Sequence, residues 1–126
     1  MSRLVLDAGA FIAFEKGDIR LRARLMAARR LGLRLTTSAP VVGQVWRDGR
    51  EQALLASLIA AVDAHVPDGL AARRAGELLA KAKTRDVVDA LLALRARDGD
   101  TVLTSDPDDL RRLVAAAGIH AQVVAI

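Results

Sequence analysis

Five short strand-like runs alternate with helical stretches along the chain, and this alternation constrains the fold more than any other feature. Leu4-Val5-Leu6 is a continuous apolar run cut off by Asp7, the pattern of a strand buried on both faces. Leu33 to Thr37 alternates as a second strand, and Ala64-His65-Val66 forms a weak third before the Pro67-Asp68-Gly69 turn. Thr101 to Thr104 and Gln122 to Ile126 supply the fourth and fifth. Helices are expected between them: Ala8 to Glu15, Asp18 to about Leu31, Pro40 to Gly49, Arg50 to Ala61, Leu70 to about Lys83, Asp86 to about Leu94 and Pro107 to Ala117. In the second of these, Ile19, Leu21, Leu25 and Met26 read as the apolar face. Strands that alternate with helices imply an α/β sandwich with a mainly parallel five-stranded sheet, in a single domain over residues 1–126.

Composition limits how such a fold is filled. Hydrophobic residues make up 52% and aromatics 2% (Phe11, Phe14 and Trp46), so Leu, Val, Ile and Ala must build the core, with Trp46 expected inside it. There is no cysteine, which removes disulfides, thiolate metal sites and cysteine nucleophiles and agrees with a reducing, cytoplasmic setting. Asp7 interrupts the only stretch resembling a signal-peptide core, and Ala53 to Val62 is about half the ~20 residues a bilayer requires. Neither export nor a membrane span is expected. The net charge of +4 comes from the first half: residues 1–63 carry ten Lys/Arg against six Asp/Glu, and residues 64–126 carry nine of each. A basic half beside clustered acids suits a protein that handles a polyanion through bound cations.

Ligands of open α/β sheets sit beyond the carboxyl ends of the strands. Asp7 ends the first strand, Asp106 ends the fourth, and Asp89 lies in the first turn of the helix leading to that fourth strand. Three carboxylates from distant parts of the chain could therefore share one cleft, where a divalent cation relieves their repulsion; all-oxygen ligands favour Mg²⁺ or Mn²⁺. Each acid also has a plainer explanation. Asp106-Pro107-Asp108-Asp109 is a strong helix start, with Asp106 as N-cap and two acids facing the helix dipole, and Asp86 with Asp89 can cap in the same way. Asp7 fits that explanation least, since a carboxylate directly after Leu-Val-Leu is costly if buried and unpaired.

Leu4-Val-Leu-Asp7-Ala-Gly-Ala-Phe-Ile-Ala-Phe, Asp86-Val-Val-Asp89-Ala-Leu-Leu-Ala and Thr104-Ser-Asp106-Pro-Asp-Asp109-Leu resemble, in order, the three acidic motifs of PIN-domain ribonucleases, specifically the VapC toxins. The similarity covers essentially the whole chain. It implies a PIN-like three-layer sandwich and a Mg²⁺- or Mn²⁺-dependent endoribonuclease with Asp7, Asp89 and Asp106 as catalytic metal ligands. It also implies a homodimer held inactive by a VapB-type antitoxin. One position departs: on the third helix, where the family usually carries a glutamate, this chain has Gln44, whose amide oxygen ligates without charge. Asp86, or Asp48 one helical turn beyond Gln44, could compensate. The alternative is a PIN-fold module that binds RNA or a partner through an incomplete metal site.

For holding RNA the candidates are Arg20, Arg24, Arg29, Arg30, Arg47 and Arg50, because guanidinium forks match phosphate. His65 and His120 read as structural, and Thr104 and Ser105 as hydroxyls able to bond a ligand or water. Other strand-end aspartate chemistries fit less well. A haloacid-dehalogenase-type phosphatase needs a second aspartate where Gly9 stands, and no glycine-rich loop for a nucleotide follows the first strand.

Overall fold

The run Leu4-Val5-Leu6 lies in strand β1 (Arg3–Leu6), buried at all four positions at the centre of the sheet. The computed structural model describes residues 2–126. Helices α1 (Ala8–Glu15) and α2 (Ile19–Arg30) lead from β1 to β2 (Arg34–Ser38), and α3 (Ala39–Val45) and α4 (Ala53–Ala61) lead on to β3 (Asp63–His65). The chain then crosses back through α5 (Gly69–Ala82) and α6 (Val87–Arg95) to β4 (Thr101–Thr104), and α7 (Pro107–Ala116) connects to β5 (Gln122–Ala125). All strand pairs are parallel, in the order β3-β2-β1-β4-β5. Helix α1 packs on α2, α3 and α4, while α5, α6 and α7 pack on one another, which gives the three-layer α/β sandwich expected.

The strand order decides where a ligand can bind. From β1 the chain winds outward to β2 and β3, and after β3 it returns past both to β4, so the winding reverses between β1 and β4. Their carboxyl ends separate there, with connections leaving on opposite faces, and that split is the usual crevice of doubly wound sheets. Register holds the two strands together, with Leu6 opposite Leu103.

Capping acids and glycines end most helices as the sequence indicates. The Asp18 carboxylate accepts from Leu21 N at 2.9 Å, Asp68 accepts from Ala71 N at 2.8 Å, and Gly32 closes α2 at φ 75°. Three features depart from expectation. Helix α3 stops at Val45 instead of Gly49, because Gln52 Oε1 accepts from the N–H groups of Arg47 (2.6 Å) and Asp48 (2.8 Å), which a continuing helix would have used. The Arg47 guanidinium donates instead to the freed Gly43 carbonyl at 3.2 Å. Trp46, expected in the core, is therefore carried out on the loop and is 38% exposed. On α2, Leu21 and Leu25 are buried as expected, but Ile19 and Met26 are exposed and Ala28 completes the buried stripe, since a helix over a sheet does not bury every apolar residue.

A buried ion pair closes the opposite edge of the sheet. Arg3 donates to Asp100 through its backbone N–H (3.0 Å), Nε (3.2 Å) and Nη2 (2.8 Å), and Arg97 N adds a bond of 2.9 Å. Burial alone would raise the Asp100 pKa, but the hydrogen bonds from Arg3 and from the backbone outweigh it and hold the carboxyl below its ordinary value. Among the described residues no helix is long and apolar enough to cross a membrane.

Candidate metal centre

Asp7 follows β1 directly and is only 5% exposed. The cost expected of a buried carboxylate is met by two hydrogen bonds. Its Oδ1 accepts from Ala8 N at 2.7 Å at the start of α1, and its Oδ2 accepts from the Thr104 hydroxyl at 2.6 Å. Thr104 in turn accepts from the backbone N–H of Asp106 at 2.9 Å. One buried hydroxyl at the end of β4 thus ties the carboxylate after β1 to the backbone that carries Asp106.

Asp106 occupies the N-cap position of α7, yet its side chain takes no capping hydrogen bond from the described residues. Only a weaker interaction with the backbone of Asp109, three residues on, remains of the capping geometry at this residue. Asp86 behaves as a cap: its Oδ1 accepts from Val88 N (2.9 Å) and Asp89 N (3.1 Å). That leaves Asp89, in the first turn of α6 and half-buried, free to face the crevice.

Carboxylate oxygens of Asp89, Asp106 and Asp109 all lie within 4.8 Å of one another. Two oxygens on opposite sides of one hard cation are about 4 to 5 Å apart, so this spacing fits a single Mg²⁺, Mn²⁺ or Ca²⁺. Among the described residues no lysine or arginine forms an ion pair with any of the three. The repulsion appears in the proton equilibria. Asp89 is raised from 3.8 to about 7, first by desolvation and then by the charges of Asp7, Asp86, Asp106 and Asp109. Asp106 is also raised, by desolvation and then by Asp109. An all-oxygen, unneutralised group of this kind suits a hard divalent ion better than a metal that favours thiolate or imidazole ligands.

The site residues named from sequence fall into different places. Asp89 and Asp106 meet in the cluster; Asp7 lies close enough to be the leading charge acting on Asp89, but it is hydrogen-bonded to Thr104 and is not one of the three residues whose oxygens lie mutually within 4.8 Å. Asp109 takes that third position. Its signal was present in sequence, three residues after Asp106 on one helix face, but was absorbed by the dipole explanation. Gln44 is exposed on α3, which packs against α1 and α6. Asp48 cannot stand one helical turn beyond it, because α3 has ended, and its Oδ1 accepts from Arg50 N at 3.0 Å.

The arginines are likewise dispersed. Arg20 and Arg24 are exposed on α2, with Arg20 in its first turn. Arg29 lies at the other end of α2, sharing a recess with Arg34 and Asp63 where β2 and β3 begin, at the sheet edge opposite the carboxylates. Arg30, also exposed, follows it. Arg47 is folded onto the α3 carbonyls, and Arg50 pairs with Asp48 at 3.4 Å with a side chain 92% exposed. His65 and His120 are exposed and outside the cluster. The chain matches no family model and no curated protein sequence.

Proposed function

We propose that this protein is a metal-dependent endoribonuclease that hydrolyses RNA phosphodiesters. The observation that carries the reading is the unneutralised carboxylate cluster at the point where the sheet's winding reverses, with the Asp89 pKa raised to about 7 by desolvation and then by its neighbours' charges. Asp89, Asp106 and Asp109 would hold one Mg²⁺ or Mn²⁺, with Asp7 beside them as a further anionic group. A bound cation supplies a hydroxide-like water near pH 7 and screens charge on the phosphate. The chain's own part is positional. Thr104 fixes the Asp7 carboxylate, Asp86 fixes the first turn of α6 so that Asp89 points inward, and the rigid β1–β4 register sets the distance between the two halves. Exposed Arg20 and Arg24 supply phosphate contacts.

The resemblance of the three motifs to VapC toxins extends the proposal to a biological role. In that role the protein is the toxin of a type II toxin–antitoxin pair, a cytoplasmic homodimer restrained by a VapB-type antitoxin. Replacement of the family's glutamate by Gln44 favours a second reading, a PIN-like module that binds RNA without cleaving it. Asp109 weighs against it, because it restores a carboxylate to the group.

The deciding experiment incubates the protein with total and transfer RNA in Mg²⁺, in Mn²⁺ and in excess chelator, beside Asp106→Asn. Cleavage that requires the cation and falls at least about a hundredfold in the variant is expected. Cleavage that survives in chelator refutes the metal assignment. RNA binding and cation binding without cleavage establishes the second reading.

A further inference from the structure

A cavity of about 330 Å³, lined by none of the clustered carboxylates, is bounded by the ends of β2 and β3 and by α5 and α6. Its volume is at the low end of the roughly 300–1,000 Å³ range of small-molecule sites. Arg74, Arg95 and Arg97 line it, and the one acid among the lining residues, Asp68, is committed to capping Ala71 N at 2.8 Å. Arg95 is fixed in place: its Nε donates to Thr36 Oγ1 and its Nη2 to Asp63, both at 2.9 Å, and its side chain is 13% exposed. The Asp63 carboxylate that pairs with it is 70% exposed, so solvent screens the neutralisation. Burial and then the charge of Arg3 push the Arg95 pKa down, against the opposing charges of Asp63 and Asp100.

Ser38 supplies an independent observation. It is 1% exposed, lines the cavity, and its hydroxyl has no hydrogen-bond partner among the described residues. Buried hydroxyls are normally satisfied, and this one, in the wall of a cationic cavity, is free to bond a polar ligand atom that reaches it. Leu91 and Leu94 add an apolar wall.

We propose that this cavity binds a small organic phosphate, with the phosphoryl group taken by the guanidiniums and Ser38 and a ring-sized apolar body against Leu91 and Leu94. A phosphomonoester has nearly two negative charges and three acceptor oxygens, a closer match to three guanidiniums than the single charge of a carboxylate. The volume admits one ring with its phosphoryl group. The proposal is independent of the nuclease reading, since Asp7, Asp89, Asp106 and Asp109 do not line the cavity.

The test is titration of the full chain in chelator with phenyl phosphate, inorganic phosphate and benzoate, followed by calorimetry and by amide NMR shifts. Phenyl phosphate is expected to saturate, shifting the amides of Arg74, Leu91 and Arg97, and to bind at least about tenfold more tightly than the other two. Arg74→Gln and Arg97→Gln should each weaken it about tenfold and Ser38→Ala about threefold, with melting temperatures of the free variants showing that each is folded. Absence of saturation by about 10 mM overturns the proposal, as does unchanged affinity in the Arg74→Gln/Arg97→Gln double variant. Shifts that follow protein concentration instead of ligand would assign the cavity to a second copy of the chain, and equal affinity for inorganic phosphate would remove the organic body; either result overturns it.

Discussion

Replacing Asp89 with asparagine removes the charge that the crevice resists most. In the folded chain this carboxyl is raised from its ordinary 3.8 to about 7, by desolvation first and then by four neighbouring aspartates. The folded state therefore binds the proton more tightly than the unfolded chain, and ionisation opposes folding. At full strength the difference corresponds to ~4 kcal/mol. Solvent screens the half-exposed side chain, so ~2 kcal/mol is the expected effect. The sign follows from linkage: the penalty is absent below about pH 4, grows as pH rises to about 7, and is complete above that. In chelator, Asp89→Asn should be ~2 kcal/mol more stable than wild type at about pH 8 and equal to it at about pH 4, as measured by urea denaturation. Mn²⁺ should reverse the order, because the wild type binds the cation more tightly and gains more from it. A variant that is no more stable at about pH 8, or one equally stabilised at every pH, would refute the picture of a strained, metal-free carboxylate cluster.

Other perturbations probe what supports the site. Thr104→Val removes the hydroxyl that donates to Asp7 and accepts from Asp106 N–H. It should cost about 2–3 kcal/mol in urea denaturation and lower cation-dependent RNA cleavage at least about tenfold, and an unchanged midpoint would show that the bridge is dispensable. A Cβ at Gly9 would stand 2.5 Å from Ser105 Oγ and 2.8 Å from its Cβ, forcing α1 away from the end of β4. Gly9→Ala should therefore destabilise by about 1–3 kcal/mol, and adding Ser105→Gly should recover most of the loss. Asp100→Asn breaks the buried pair with Arg3 and should cost about 3–5 kcal/mol near neutral pH. The Asp100 carboxyl is held below its ordinary value, so its contribution is present above about pH 4 and is lost as pH falls through the folded pKa; acid denaturation of the variant should be correspondingly shallower.

Local patterning determined the layers, the parallel sheet and the positions where strands stop, because side-chain period and capping residues act within a few positions of the chain. That is why Asp7 and Asp106 could be placed at strand ends from sequence alone. Helix α3 ends short of its local pattern because its stop comes from Gln52, a side chain beyond the helix whose oxygen accepts from the N–H groups of Arg47 and Asp48. The membership of the carboxylate cluster was also beyond local reading. Asp109 joins Asp89 because α6 and α7 pack together, and Asp7 acts on Asp89 by its charge while Thr104, 97 residues away, donates to one of its oxygens. In the same way, the burial of Arg3 against Asp100, the distance of Arg29 from the crevice and the orphan hydroxyl of Ser38 follow from which strand pairs with which. Sequence sets the conformation of each segment, but the strand order and register determine which segments' side chains meet, and electrostatic and hydrogen-bond energies depend on those distances alone.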